Sequence, residues 1–386
     1  MATAARWLPR LSRRGLSTSA HIATHSAARA PFPLRAYRTI SIFGATGFLG
    51  RYVVNALGRS GWQVHLAVRG DDMEWRHLKP LCDLGMLVPH YYSAKDQASV
   101  QAAVPEGTDV VLNLVGKRYE TKHVLPWHIN NSFEDTHVRA AQAIAVAARK
   151  AHAKHLVHVS SARASLSAPS KWARTKAEGE ALVRKEFPGV CVVRPGVMYG
   201  EEDNCLNWYA SRSWTPLELV DGEGATVAPV FVGDVGRALA QIVGDWHKYC
   251  DTTVDLLGKD AYTQKQIAEY VFGTIGKNKS ISVVDKNDAF KTALAAAGVR
   301  FLESLPNPLV TSDELALSKC SDAPTKGALT FADVGVTPAA FESKAFNFLY
   351  RYQPGGHFRE LRAIELKGQP QQHVSHLLHK DPKKIA

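Results

Sequence analysis

Residues 39–57 leave little freedom in what the N-terminal half of this chain can fold into. Thr39-Ile40-Ser41-Ile42-Phe43 is a short apolar stretch of strand type. It runs into Gly44-Ala45-Thr46-Gly47-Phe48-Leu49-Gly50, and Arg51-Tyr52-Val53-Val54-Asn55-Ala56-Leu57 continues as a helix. The first glycine allows a tight turn, the second lets backbone approach a pyrophosphate, and the third lets helix and strand pack closely. The helix then offers its N–H groups and positive dipole end to the phosphates. A glycine triplet alone is a weak signal; one between a strand and a helix is much stronger. Gly44, Thr46, Gly47, Phe48, Leu49 and Gly50 are therefore expected around the phosphates of a dinucleotide. The competing reading is a glycine-rich turn that holds nothing.

The next strand, Gln63-Val64-His65-Leu66-Ala67-Val68, ends at Arg69. About 20 residues past such glycines, NAD-binding domains place an acid on the ribose 2′-hydroxyl. A carboxylate there repels a 2′-phosphate, whereas an Arg grips it in two places. Arg69 thus predicts NADP(H), with Arg51 adding positive potential. The alternative uses Asp71 or Asp72 on the ribose and leaves Arg69 merely exposed.

Beyond Arg69, strands and helices alternate. Asp109 to Gly116 reads as a buried strand, Phe133 to Ala151 as an Ala-rich helix, His155 to Ser160 as a strand, and Val190 to Arg194 as another, closed by Pro195-Gly196. This alternation predicts an α/β fold, a Rossmann-like doubly wound parallel sheet with a smaller C-terminal lobe. Ligands of such sheets lie beyond the carboxyl ends of the strands. Gly44, Arg69, Gly116, Ser160 and Pro195 all fall at such ends. In the second half, Asp234 is expected to cap a helix over Val235 to Val243. Thr263-Gln264-Lys265-Gln266 is a capping box that opens another helix. The expected division is a leader at 1–38, an NADP-binding domain at 39–200, a smaller lobe at 201–358 and a polar tail at 359–386.

The formal net charge is +11, but no Asp or Glu precedes Asp71, and residues 1–38 carry seven Arg. Without those seven the charge is +4, so the excess belongs to a leader rather than to a nucleic-acid face. Arg-rich, Ser- and Ala-containing and free of acids, this stretch reads as a mitochondrial transit peptide, with cleavage near Arg14 to Ser19. No apolar run approaches the roughly 20 residues that span a bilayer. The five cysteines are scattered, odd in number and without metal-ligand spacing, which suits buried thiols in a reducing compartment. His373, His376 and His379 recur every third residue, but no Cys or acid cluster accompanies them, so no metal site is expected.

The run Phe43 to Asn55 resembles the atypical short-chain dehydrogenase/reductases, and among them most the accessory-subunit family of mitochondrial respiratory complex I (NADH:ubiquinone oxidoreductase). Similar runs are Arg76-His77-Leu78-Lys79-Pro80, Asn113-Leu114-Val115-Gly116 followed by Tyr119-Glu120-Thr121-Lys122, His158-Val159-Ser160, Lys176-Ala177-Glu178-Gly179-Glu180 and Pro229 to Val235. The similarity spans about residues 39 to 350. It implies a peripheral subunit on the matrix side of the inner membrane, with other complex I subunits as partners and a tightly held NADPH. It also implies that Val115 and Gly116 flank the adenine-side ribose, and that Ser160, Lys176 and Pro195 line the nicotinamide end. Ser93 stands where relatives often have an Asp near the adenine.

One departure bears on chemistry. Active members of the family carry a Tyr four residues before the Lys, so that both project from one helix face. The Tyr moves the substrate proton, and the Lys lowers its pKa and holds the ribose. Here Lys176 is present and Trp172 replaces the Tyr. An indole N–H donates a hydrogen bond but cannot shuttle a proton. The expectation is a catalytically silent, NADPH-binding accessory subunit with no catalytic residue. Two alternatives stand beside it. One is an active NADPH-dependent reductase drawing its proton from Tyr199 or a water held by Lys176. The other is an RNA-associated relative, disfavoured by the near-neutral core, so no nucleic-acid partner is expected.

Overall fold

The computed structural model describes residues 37–122, 129–211, 217–220, 224–277, 281–284 and 311–353. The body of the leader, its cleavage region, the polar tail and His373, His376 and His379 lie outside the described residues.

Seven strands form one sheet: β1 (Thr39–Phe43), β2 (Gln63–Val68), β3 (Leu87–Tyr91), β4 (Val110–Asn113), β5 (His155–Val159), β6 (Cys191–Pro195) and β7 (Thr253–Leu256). Their order is β7-β6-β5-β4-β1-β2-β3, and every pairing is parallel. The order reverses between β1 and β4, which opens a crevice at their carboxyl ends. This is the α/β, doubly wound parallel sheet that the alternation predicts.

Parallel strands buried on both faces read as continuous apolar runs. Successive residues then serve opposite faces. Ile40, Ile42, Val64, Leu66 and Leu112 meet helix α1 (Phe48–Arg59) and helix α4 (Val232–Gly244) on one face. Phe43, Ala67, Val111 and Val192 meet helix α2 (Ala140–Lys150) and Val183 of helix α3 (Lys171–Glu186) on the other. A third apolar cluster lies apart from both faces. It gathers Tyr199, Leu206, Tyr209, Val227, Ile267, Val271, Phe272 and Phe341. Its helix Gln264–Ile275 starts at the expected capping box, with Thr263 and Gln266 bonding reciprocally.

Four local expectations differ from the structure. β4 stops at Asn113, because the Asn113 side chain accepts the N–H of Val115 at 2.9 Å and turns the chain. The helix expected from Phe133 begins instead with a π-helical turn, Glu134–Arg139, before α2 takes over. Asp234 is not a cap: Phe231 holds that place, and Asp234 is buried in the first turn of α4. Its carboxylate accepts from Arg237 and from the N–H of Ala339, a partner 105 residues away. Finally, all five cysteines are free, but Cys191 alone is fully buried and Cys250 is exposed.

Candidate functional site

The glycine turn follows β1 and is built by contacts that a side chain would break. Gly44 has φ +83, and an added Cβ there would lie 3.0 Å from the carbonyl carbon of Leu114. An added Cβ at Gly50 would lie 2.3 Å from the carbonyl oxygen of Ala45, so helix and turn pack backbone to backbone. At Gly47 an added Cβ meets only the oxygen of Gly44, at 3.3 Å, so the protein's own packing asks less of this glycine. Gly47 is exposed and caps α1 in an extended conformation. No side chain caps the helix and no acid sits in its first turn. The turn thus presents main-chain N–H groups and a positive helix end, the donor set that phosphates take. Thr46 and Phe48 are half-buried beside it, and Leu49 is buried.

Arg69 follows β2 and is exposed. Its charge reaches Lys117 and Tyr92: the Lys117 ammonium is pushed down by burial first, then by Arg69, with Lys95 adding to the effect. Arg69 and Lys95 therefore both lie within electrostatic reach of Lys117. The rival acids have local tasks. Asp71 accepts the N–H of Asp72 at 2.7 Å, and Asp72 lies 3.5 Å from Arg76. Arg51, expected to reinforce the phosphate side, is ion-paired with Glu202 instead.

The loop after β4 meets α3. The oxygen of Val115 accepts from Lys176 Nζ at 3.5 Å, and an added Cβ at Gly116 would lie 3.2 Å from that nitrogen. Lys176 is buried, and its ammonium is pushed down to about 8 by burial, with Glu180 opposing. Ser160 follows β5; its Oγ is buried and has no hydrogen-bond partner among the described residues. Pro195 ends β6, and its carbonyl accepts from the N–H of Ala162 at 3.0 Å. Gly44 packs on the Leu114–Val115 main chain and Lys176 reaches Val115 and Gly116, while Ser160 and Pro195 take the corresponding places on the next two strands. An uncapped helix end, a main-chain approach at Gly116, an unpartnered buried hydroxyl and a buried amine together fit an extended, phosphate-containing, hydroxyl-rich ligand.

Trp172 is tied rather than free. Its indole N–H donates to the carbonyl of Lys117 at 2.7 Å, and Lys176 Nζ lies 6.0 Å from the ring centroid. His137, on the π-helical turn, was not foreseen. Its Nε2 accepts the N–H of Lys117 at 3.1 Å, which leaves the ring proton on Nδ1, 3.0 Å from Thr175 Oγ1. Thr175 passes its own proton to the carbonyl of Trp172 at 3.0 Å. Burial first, then Lys176, pushes the His137 imidazolium down to about 2, so the ring is neutral. Gly179 makes the approach possible: an added Cβ would lie 2.2 Å from the carbonyl oxygen of His137. Nothing near His137 in the sequence signals this, because its partners lie 20 and 38 residues away. Tyr199, the other expected proton source, belongs to the third cluster, fully buried against Phe231 and Phe341, with its hydroxyl pushed up by burial. Among the described residues no cluster of His, Cys, Asp or Glu could hold a metal ion.

Residues 36–314 match the NmrA-like family. The chain is 34% identical over 340 residues to the mitochondrial NADH-ubiquinone oxidoreductase 40 kDa subunit of Neurospora crassa, covering 88% of this chain and 86% of that protein. It is 34% identical over 315 residues to the mitochondrial NADH dehydrogenase (ubiquinone) 1 alpha subcomplex subunit 9 of Rattus norvegicus, covering 81% and 80%. Its fold superposes on the Citrobacter triphenylmethane reductase complexed with NADP(H) with a TM-score of 0.60 at 18% identity, over 80% of this chain and 99% of that one. With its parallel sheet, its glycine turn and relatives that match it over most of their length, the chain belongs to the NmrA-like family and, within it, to the family of the mitochondrial 40 kDa and alpha subcomplex 9 subunits.

Proposed function

We propose that this protein is a mitochondrial accessory subunit of NADH:ubiquinone oxidoreductase that holds NADPH and does not turn it over. The relatives' identity supports the assembly. The observation that carries the silent role is Trp172. The position four before Lys176 bears an indole whose N–H is spent on the carbonyl of Lys117. No tyrosine hydroxyl stands there to give a carbonyl substrate its proton.

In this reading the glycine turn and the start of α1 hold the pyrophosphate. Arg69 takes the 2′-phosphate, with Lys117 and Lys95 deepening the positive potential. Val115 and Gly116 let the dinucleotide lie close, Lys176 and Ser160 bond its nicotinamide-side hydroxyls, and Pro195 walls the ring. Bound there, NADPH would supply a hydride, and Trp172 offers a carbonyl acceptor no titrating hydroxyl from which to take the accompanying proton. Binding then acts through stability. A ligand at 1,000 times its Kd adds about 4 kcal/mol to the folded state, a large share of ordinary domain stability. No helix among the described residues is long and apolar enough to cross a membrane; the attachment proposed is peripheral, on the matrix side.

Three measurements test this together. The protein should migrate with the intact respiratory complex in a native mitochondrial extract. Denaturing it should release NADP(H) in near-stoichiometric amount. A panel of carbonyl substrates should give no NADPH oxidation above background. The second reading, an active reductase, draws on the buried Lys176 amine, which could order a water as proton source; turnover at ordinary enzymatic rates would establish it and end the first.

A further inference from the structure

The side of the crevice where a substrate would meet the nicotinamide is crossed by the chain itself. Residues 311–325 run over the carboxyl ends of β4, β5, β6 and β7 in turn, and each crossing is tied. Asp313 accepts from the hydroxyl of Ser170 at 2.8 Å and from the N–H groups of Lys171 at 2.6 Å and Trp172 at 3.1 Å. Glu314 pairs with Arg118, two residues past Gly116. Asp322 accepts from Arg163 at 2.8 Å, three residues past Ser160, and from the N–H of Ala228 at 2.9 Å. The same carboxylate would stand 3.6 Å from a Cβ placed on Gly196, the residue after Pro195. Thr325 closes the run, donating its N–H to Asp255 at 2.6 Å and accepting from Arg194 at 2.9 Å.

We infer that residues 311–325 are a built-in strap that takes the place of a substrate over the nicotinamide side of the site. This deepens the proposed function and rests on it for the identity of the ligand beneath. The Asp322 carboxylate is 1% exposed and the Arg163 side chain 11% exposed, so this tie is a buried charge pair and not a surface contact. The first tie bonds the start of α3, where Trp172 stands. The strap and the indole therefore brace the same corner. A cavity of about 330 Å³ remains beside the strap, lined by Tyr119, Phe133, Lys171, Arg174, Thr311 and Asp313. Lys171 and Arg174 lie on the flank of α3 roughly opposite Trp172 and Lys176, at about 100° per residue.

The strap predicts that access to Ser160 and escape of the nucleotide both depend on the Arg118–Glu314 tie. The test uses the full-length protein. Glu314→Gln and Arg118→Gln each break the tie, and Gln at 314 still completes the capping box with Thr311 that starts the strap's helix. Arg118→Glu combined with Glu314→Arg rebuilds the ion pair with the charges exchanged, and Glu314→Arg alone controls for the lost capping-box acceptor. Ser160→Cys, introduced into each, places a thiol under the strap, and its alkylation by a maleimide is followed by peptide mass without added nucleotide. NADPH dissociation is followed separately by its fluorescence. Breaking the tie should speed both alkylation of the introduced thiol and NADPH release by about tenfold, and the exchanged pair should restore both rates. Alkylation that neither single variant changes would overturn the strap. Faster alkylation in a protein that binds no NADPH would sustain the strap and sink the NADPH reading alone.

Discussion

Trp172 and Lys117, 55 residues apart in sequence, are joined by a 2.7 Å hydrogen bond from the indole N–H to the main-chain carbonyl. The bond changes what this position of α3 is for. A tyrosine hydroxyl here would face substrate and exchange protons with it. The indole instead fixes the loop carrying Val115 and Gly116, the segment against which the dinucleotide would lie. The N–H of the same Lys117 is held by His137, so both main-chain groups of one loop residue are fastened to α3 and its neighbour.

Trp172→Phe should keep the fold and weaken it. The Lys117 carbonyl would lose its donor in a half-buried place, at a cost of about 1–2 kcal/mol. Thermal unfolding should show a midpoint lowered by a few degrees. An unchanged midpoint would mean that the bond carries no stability.

Arg69→Asp should reverse the preference between the two dinucleotides. Losing one charge-assisted contact and gaining a repulsion should weaken NADPH about 10- to 100-fold. Affinity for NADH should change little. Titration of both nucleotides into the stripped protein decides it; equal weakening of the two would remove Arg69 from the 2′-phosphate.

Lys176 ties stability to alkaline pH. Its amine is held at about 8 in the folded chain, against an ordinary 10.5. Below pH 8 both states carry the proton, and the folded state bears the whole penalty of a buried charge. Between about 8 and 10.5 the unfolded chain binds the extra proton, so stability attributable to this residue rises with pH. Lys176→Met should therefore stabilise the nucleotide-free protein at pH 7 by up to about 3 kcal/mol while weakening nucleotide binding. Denaturant unfolding of the two proteins at pH 7 and pH 10.5 checks both sign and window: their difference should shrink at the higher pH.

Acid should act through the buried imidazoles. Burial, ahead of Lys176, pushes His137 down to about 2 and His158 down to about 3. Between pH 6.5 and those values the unfolded chain takes protons that the folded one refuses. Stability then falls with pH by about 1.4 kcal/mol per unit for each histidine. Urea midpoints measured from pH 7 to 5 should drop steadily, and His158→Asn should flatten the drop. A flat profile in the wild type would mean that both rings charge in place.

How far the sequence reveals this protein depends on how local each feature is. The glycine spacing at 44, 47 and 50 answers to contacts within one turn, apart from Leu114 opposite Gly44, and so the turn itself was legible. The apolar runs marked the central strands, because β1, β4 and β5 are buried on both faces. Trp172 in the place of the family's Tyr was legible, but its hydrogen bond to Lys117 was not. Asp234 shows the limit of a local rule. Its place before a helical run suggests a cap, yet Ala339 and Arg237 hold it inside the first turn. The strap was invisible for the same reason: Asp313 finds Ser170 across 143 residues and Asp322 finds Arg163 across 159. Those pairings follow from the parallel sheet, which brings the loops after successive strands to one edge.

The π-helical turn at Glu134–Arg139 carries a consequence in chain length. A π turn holds one residue more than the α-helix that continues it. Deleting one residue there would let α geometry run through the segment with its flanks kept in phase, whereas deleting one from α2 itself would rotate everything before it by about 100°. What the deletion would lose is the local placement of His137, stacked on Phe133 at 5.4 Å and in reach of Thr175 and Trp172. The turn is a spacer of one residue that leaves the helix phase on either side unchanged.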